Sequence, residues 1–596
     1  MLSLSLSGQA GDVELACDEA STGALQRLRS RLASAVTVSN MLITVAVDDF
    51  LLNLQELANW PDGDFRWQPE LLALVEGNHA DSGIIRDQLS GAQEAPPPAD
   101  APPPPWRAPL TDFQHRDLGK LVHLRHGANF SVPGAGKTRV TLALFQTRRL
   151  AGSAQRMLVV APKSAFEAWH SEAELCIPDL RVARLAGNAP PETDVLLVNY
   201  ERLPDAVPAL VRWLRSQPSI MVLDEAHRMK LGVDGAWGSA CYKLGPYAAH
   251  RVILSGTPAP NGAQDLENLF SFVWPGQGRT SVRAAVAGRS LQEASRLLKP
   301  LFTRTTKAEL DLPPVAPVYR RVELPTLHRE IYDALIGMAA GQYPEGTASA
   351  EEIGKVVMYL LMAATSPALV ATGSSRYEPL AYRVPPLSPP AGSALAELMR
   401  DLPSYEMSPK HAEVLSMVRE NAGTGRKTLV WSTFVRNLTS LERLLAPFSP
   451  VVVHGGTVDR DEQLRRFRED PDCLVLLSNP ATLGEGVSLH HTCHEAIYVD
   501  RDFAAGRYLQ SLDRIHRLGL APDTTTRITI LVADRTIDEV VQARLDAKVD
   551  FLLRILDDPA VEQLTDLDEE PSSYAGMDAA DLQGLVAHLQ SHASTR

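Results

Sequence analysis

Two short segments carry residue types able to handle a nucleoside triphosphate. The first is SVPGAGKT, Ser131 to Thr138. Gly134 and Gly136, with Ala135 between them, let the backbone turn its N–H groups inward around phosphate oxygens. Lys137 has the reach and charge to meet the β- and γ-phosphates, and Thr138 offers a hydroxyl to Mg²⁺. The helix expected to follow, Arg139 to Phe145, points its positive end at the anion. The strict form of this motif opens on glycine, and Ser131 stands there instead. The second segment is MVLDEAH, Met221 to His227. Its apolar run predicts a strand that delivers Asp224 and Glu225 at its C-terminal end, where ligands bind in an open α/β sheet. Asp224 suits the holding of Mg²⁺ and Glu225 the polarising of an attacking water. An acidic pair at a helix N-terminus is also stabilised by the helix dipole with no catalytic role. That account does not explain its place downstream of a phosphate loop.

Positioning these residues requires sheets. From Leu110 onward, short aliphatic runs alternate with helical stretches: MLVVA (157–161), VLLVN (195–199), IMVLD (220–224) and VILSG (252–256), then TLVWS (428–432), VVVHG (451–455), LVLLS (474–478) and AIYVD (496–500). Such runs predict parallel strands covered on both faces, and the two series predict two sheets. Between them about ninety residues, rich in Ala, Leu and Met around 328–366, read as helical, and Gly373 to Pro390 as loop. The first 93 residues show alternating and helical patterns, with Leu51, Leu52, Leu54 and Leu57 at helix spacing. EAPPPADAPPPPWRAP (94–109) reads as a stiff extended linker. The expected organisation is an α/β fold: an N-terminal accessory domain (1–93), the linker (94–109), a first lobe (110–320), a helical insertion (321–407), a second lobe (408–553) and an acidic tail (554–596).

Composition sets bounds on function. The chain has 596 residues and a formal net charge of −14. Part of that excess is local, since beyond Ile555 nine acidic residues face Arg596 alone. The balance excludes a protein basic throughout and leaves room for a local basic cleft. No run of eighteen apolar residues predicts a membrane helix, and the N-terminus lacks the basic and apolar regions of a secretory signal. The cysteines, Cys17, Cys176, Cys241, Cys473 and Cys493, form no C-x-x-C pair and suggest reduced thiols in a cytoplasmic protein. His490, His491, Cys493 and His494 lack a second ligand group at finger-like distance, so a surface turn is the expectation rather than a metal site.

From Leu110 to about Leu553 the order of segments resembles superfamily 2 helicases and, within them, the Swi/Snf family. LTDFQ ends in Gln114, where the family has a glutamine that reads adenine. LVVAPKSAFEAWHSE (158–172) resembles its first DNA-contact segment, and LSGTPAPN (254–261) the segment linking ATP state to DNA grip. LFTRTTKAELDLPP (301–314) resembles the stretch that separates Swi/Snf proteins from other helicases, and SPKHAEVL (408–415) the start of the second lobe. GEGVSL (484–489), with Gly486 on the nucleotide side, matches the fifth motif. QSLDRIHRLG (510–519) matches the sixth, which makes Arg514 and Arg517 the arginine fingers. Such a cation, supplied from another lobe, stabilises the γ-phosphate only on closure.

The resemblance implies two RecA-like lobes that bind ATP and Mg²⁺ between them. It implies a motor tracking on duplex DNA through phosphate contacts largely independent of sequence. The compact form resembles bacterial members associated with DNA repair or defence against foreign DNA, with protein partners in a multi-subunit system. Ser488 departs from the family's common Asn, and Leu520 from a common Gln. Two alternatives stay open: a strand-separating helicase on single-stranded DNA or RNA, and a nucleotide-gated binding subunit of a larger complex.

Overall fold

The protein is described here from a computed structural model, which covers residues 1–556 apart from 8–11, 62, 91–95, 188, 230, 257–262, 314, 316, 343–349, 379–381, 403–406, 484–486 and 521–523, together with Leu585. The chain forms two compact units, one built on Met1–Leu310 and the other on Asp311–Arg554. Most of the acidic tail lies outside the described residues.

The first unit begins with a five-stranded sheet in the order Val36–Ser39, Leu42–Ala46, Asp12–Cys17, Leu2–Leu6, Phe65–Trp67. Alternation drives it: Leu2, Leu4 and Leu6 are buried while Ser3 and Ser5 are half-buried, the period of two that a strand imposes. The helix Pro69–Leu89 follows, with proline in its first turn, where its missing N–H costs nothing. This N-terminal part shares one hydrophobic core with the lobe after it: Leu4, Leu15, Phe50 and Leu71 belong to the same cluster as Leu158, Leu223 and Phe270. Buried polar contacts fix the register. Arg251 and His126 donate to Asp81 at 2.8 Å each, Arg279 donates to Asp48 at 3.1 Å, and Asn78 donates to the Pro275 carbonyl at 2.8 Å. Ionic groups this deep repay their desolvation cost only through such close pairing, and losing one partner would leave a buried charge uncompensated.

The proline tract, expected as a stiff extended linker, has a place of its own on the lobe. From residue 96 on it lies along the first lobe as a strap. Ala99 N–H donates to the His115 carbonyl (3.0 Å), Gln146 donates to the carbonyls of Pro103 and Pro104 (3.4 and 3.3 Å), and Arg107 N–H donates to the Cys176 carbonyl (2.9 Å). Gly119 permits the approach, since a Cβ there would stand 2.3 Å from the Pro97 carbonyl oxygen. An extended proline backbone leaves its carbonyls unused. It builds no core of its own but accepts from a neighbour that does.

The lobe itself is a seven-stranded parallel sheet, ordered Phe302–Thr303, Gly127–Asn129, His250–Leu254, Ser219–Asp224, Arg156–Val160, Val195–Val198, Val182–Arg184. Its central strands are buried along their whole length, as parallel sheets covered by helices require. The second unit holds a six-stranded parallel sheet, ordered Val318–Val322, Arg527–Ala533, Glu495–Tyr498, Thr428–Trp431, Val475–Ser478, Val451–Val453. Val318–Val322 therefore belongs to the second sheet, and the break between units falls at Leu310, upstream of the expected 320. Its pattern VYRRV is largely exposed, which hides an edge strand from a reading based on apolar runs. The expected helical stretch contains Thr326–Gln342, Ala350–Thr365, Pro367–Thr372 and Ala394–Arg400.

Candidate active site

The phosphate loop leaves the short strand Gly127–Asn129 and enters the helix Lys137–Leu150. Gly134 and Gly136 have φ of 82° and 78°, the left-handed region that glycine enters without strain. At Gly136 space is decisive as well, because a Cβ would lie 2.5 Å from Gln114 Nε2. Gln114, in the first turn of the helix Asp112–His123, donates to the Ala135 carbonyl (3.1 Å) and accepts from Thr111 N–H (3.1 Å). Lys137 Nζ lies over the loop and donates to the Ser131 carbonyl at 3.0 Å. Thr138 stands half-buried in the first turn of the helix.

Ser131 has a role of its own. It is buried, its hydroxyl donates to Asp117 Oδ2 (3.1 Å), and it accepts the Thr305 N–H (2.9 Å). Asp117 also accepts from Thr305 Oγ1 at 2.8 Å, from Arg116 at 3.1 Å and from Thr303. The serine in place of glycine thus ties the loop to the helix carrying Gln114 and to the 302–306 segment.

The strand Ser219–Asp224 ends on the acidic pair. Asp224 is held from three sides. Trp169 Nε1 donates to its Oδ2 (2.8 Å), Glu225 N–H to its Oδ1 (3.0 Å), and Tyr200 OH to its carbonyl (2.9 Å). Burial pushes its carboxyl above the ordinary carboxylate range and the neighbouring Glu225 adds to the effect, while the Trp169 N–H and the Lys137 charge work the other way. A bound divalent cation would relieve that penalty. Glu225 adopts φ of 49°, a conformation uncommon outside glycine and concentrated at functional sites. The pair does not open an α-helix. It sits on a strained turn before the short 3₁₀ segment Ala226–Met229, so a helix dipole does not account for it.

In the second unit Arg514 and Arg517 follow the helix Ala505–Leu512. Arg514 is buried, and its guanidinium donates to the carbonyls of Val487 (2.8 Å) and Gln510 (2.9 Å). Arg517 Nη1 donates to Ser488 Oγ, so the serine that departs from Asn acts as an acceptor. Gly486 lies outside the described residues. The structure therefore brings Gln114, the 134–138 loop, Asp224 and Glu225 together in one unit, and both arginines beside Val487 and Ser488 in the other. Tyr200 and Asp117 escape a motif-based reading, and Trp169, though inside the 158–172 segment, is not singled out by it, because their contribution lies in contacts between segments distant in sequence. The histidine turn holds His490 and Cys493 buried rather than at the surface, with the Cys493 thiol directed to the Lys427 carbonyl (3.2 Å).

Residues 130–365 match the model of an SNF2-related domain, and residues 410–519 that of a helicase conserved C-terminal domain. Together these cover more than half of the chain. The chain belongs to the SNF2 family. It is 26% identical over 430 residues to Protein CHROMATIN REMODELING 4 of Arabidopsis thaliana, covering 65% of this chain and 18% of that protein. Against TATA-binding protein-associated factor MOT1 of Saccharomyces cerevisiae it is 24% identical over 489 residues, covering 69% and 26%. Against chromodomain-helicase-DNA-binding protein 1-like of Mus musculus it is 25% identical over 486 residues, covering 75% and 50%. This SNF2-family chain thus spans from less than a fifth to half the length of these relatives. Among solved structures, the Sulfolobus solfataricus SWI2/SNF2 ATPase core in complex with dsDNA is 20% identical, with 78% of this chain and 95% of that one covered and a TM-score of 0.34. Of the segments that resemble the SNF2 family's, 158–172 runs from a strand end into the helix Phe166–Cys176, and Ser408 caps the helix Pro409–Gly423 through its hydroxyl. Residues 257–261 and 484–486 lie outside the described residues.

Proposed function

We propose that the chain is a DNA-dependent ATPase that converts hydrolysis into tracking along duplex DNA. The observation that carries this reading is the pairing of a glycine-formed phosphate cradle, Gly134 to Thr138, with a buried strand-end aspartate and a strained glutamate in one lobe. In this reading Gln114 reads the adenine. Gly134, Ala135 and Gly136 turn N–H groups to the phosphates, Lys137 neutralises the β- and γ-phosphates, and Gly486 borders the nucleotide from the second lobe. Thr138 and Asp224 would hold Mg²⁺, which screens phosphate charge when bound. Glu225 orients the attacking water and takes its proton as the oxygen–phosphorus bond forms, while ADP leaves. Arg514 and Arg517 supply positive charge to the γ-phosphate on lobe closure.

DNA enters from the relatives, whose names include a chromatin-remodelling protein, a TATA-binding protein-associated factor and a chromodomain-helicase-DNA-binding protein. Backbone phosphates are the expected contact, so affinity should fall with salt. A role in DNA repair or in defence against foreign DNA belongs to the same proposal. It rests on the resemblance of the compact form to bacterial members of the family. A cytoplasmic site of action fits five free thiols, and action with partner proteins belongs to the same proposal. Among the described residues no helix is long and apolar enough to cross a membrane.

The test is the steady-state ATPase rate of the full chain with no nucleic acid, single-stranded DNA, duplex DNA and RNA. Strongest stimulation by duplex, declining between low and moderate salt, supports the reading. Strongest stimulation by single strands or RNA replaces it with a strand-separating helicase. Nucleotide binding without turnover replaces it with a nucleotide-gated binding subunit.

A further inference from the structure

The helix Phe166–Cys176 begins within the segment, 158–172, that resembles a DNA contact, and it touches nucleotide-site elements at two points one turn apart. Trp169, 1% exposed, donates its indole N–H to Asp224 Oδ2 at 2.8 Å. Glu172 receives the Arg139 guanidinium through two bonds, Nε at 2.9 Å and Nη2 at 3.1 Å. Arg139 directly follows Thr138 in the phosphate-loop helix. Residues at i and i+3 share a helix face, so one face grips both the acidic strand end and the helix that leaves the phosphate loop.

We propose that Trp169 is a positioning residue of the ATP site, and that the helix Phe166–Cys176 is the connection through which the 158–172 segment is sensed there. The inference rests on the ATPase reading above. Aspartate χ2 is a broad torsion, so an unanchored carboxylate would sample orientations useless for holding a cation. The indole N–H is a donor only and always presents the same partner to Oδ2. Glu225 N–H fixes the other oxygen. The fork-on-carboxylate geometry of Arg139 and Glu172 sets direction as well as distance, so a shift of the helix reaches Asp224 and the phosphate loop together.

The experiment measures ADP affinity of the full chain by calorimetry, once in EDTA and once in Mg²⁺, for wild type and Trp169→Phe. Phenylalanine fills the core site and lacks the donor. A hydrogen bond to a charged group corresponds to a factor of roughly ten or more, so the tightening produced by Mg²⁺ should shrink about tenfold while affinity in EDTA stays at the wild-type value. Should Trp169→Phe lower the unfolding temperature, benzothienylalanine at position 169, which replaces only the N–H by sulfur, serves in its place. Glu172→Gln should reduce stimulation of the ATPase by duplex DNA more than it reduces the rate without DNA. An unchanged Mg²⁺ gain, or equal losses with and without Mg²⁺, overturns the positioning role. Equal reduction of basal and stimulated rates in Glu172→Gln overturns the connection. A wild-type chain that binds no nucleotide overturns the ATPase reading instead.

Discussion

Placing the strict motif's glycine at position 131 should damage this protein. Ser131 is 1% exposed and its hydroxyl makes two bonds, to Asp117 Oδ2 at 3.1 Å and from Thr305 N–H at 2.9 Å. Ser131→Gly removes both and leaves a buried amide without its acceptor. The bond to the charged group is worth about 1.5–3 kcal/mol and the neutral one about 1 kcal/mol. The added backbone freedom of glycine costs a further ~0.5–1 kcal/mol. Asp117 retains Thr305, Thr303 and Arg116 as donors, which favours the lower part of that range. A loss of about 3–4 kcal/mol follows, localised in the first unit. For a unit of this size, roughly 2 °C of unfolding temperature per kcal/mol gives a drop of about 6–8 °C. The assay is thermal unfolding of the full chain with hydrogen exchange of the 127–150 region, alongside Ser131→Ala, which separates the hydroxyl from glycine's flexibility. Ser131→Ala should show most of the drop. Wild-type unfolding in both variants would refute the reasoning and return position 131 to an interchangeable loop site.

Lys137→Ala should stay folded and lose at least about tenfold in ATP affinity or turnover, because it removes a charge-assisted partner of the phosphates; wild-type ATPase in the folded variant contradicts the assignment. Glu225→Gln should bind ATP and hydrolyse it roughly 10²-fold or more slowly, the scale of a lost general base, as measured by single-turnover hydrolysis beside nucleotide binding. Arg517→Ala should keep ATP and duplex binding and lose about 10³-fold in DNA-stimulated hydrolysis, as an arginine finger does. Arg517→Lys should fail as well, since an ammonium lacks the guanidinium fork. Normal stimulated rates in either variant, or binding lost in step with rate, remove Arg517 from that role.

The central strands were readable from sequence because burial on both faces leaves an uninterrupted apolar run. IMVLD, TLVWS and LVLLS coincide with strands to within a residue or so at either end. Short and exposed strands were not readable. Gly127–Asn129 and Phe302–Thr303 are too short to show a period, and the edge strand VYRRV is exposed. In the N-terminal part LSLSL alternates as an antiparallel strand should, but its fusion to the lobe depends on Asp81, Arg251 and His126, residues far apart in sequence that meet only after folding. The proline tract was readable as extended but not as a bound strap, since Gly119 and Gln146, which receive it, carry no signal of their own. At the site, the loop and acidic pair announce themselves because phosphate chemistry restricts residue type at fixed spacing. The supports, Trp169 on Asp224 and Ser131 on Asp117, answer to packing and have no spacing rule.

Tracking on duplex DNA is tested most directly by displacement of a third strand. A fluorescent triplex-forming oligonucleotide is placed on a duplex that is otherwise free, and its release is followed after ATP is added to the full chain. The account predicts ATP-dependent release whose lag lengthens with the distance between the entry end and the triplex, with no separation of the underlying duplex and no release by Glu225→Gln. Release independent of ATP, separation of the duplex strands, or robust duplex-stimulated ATPase with the third strand left in place would contradict it.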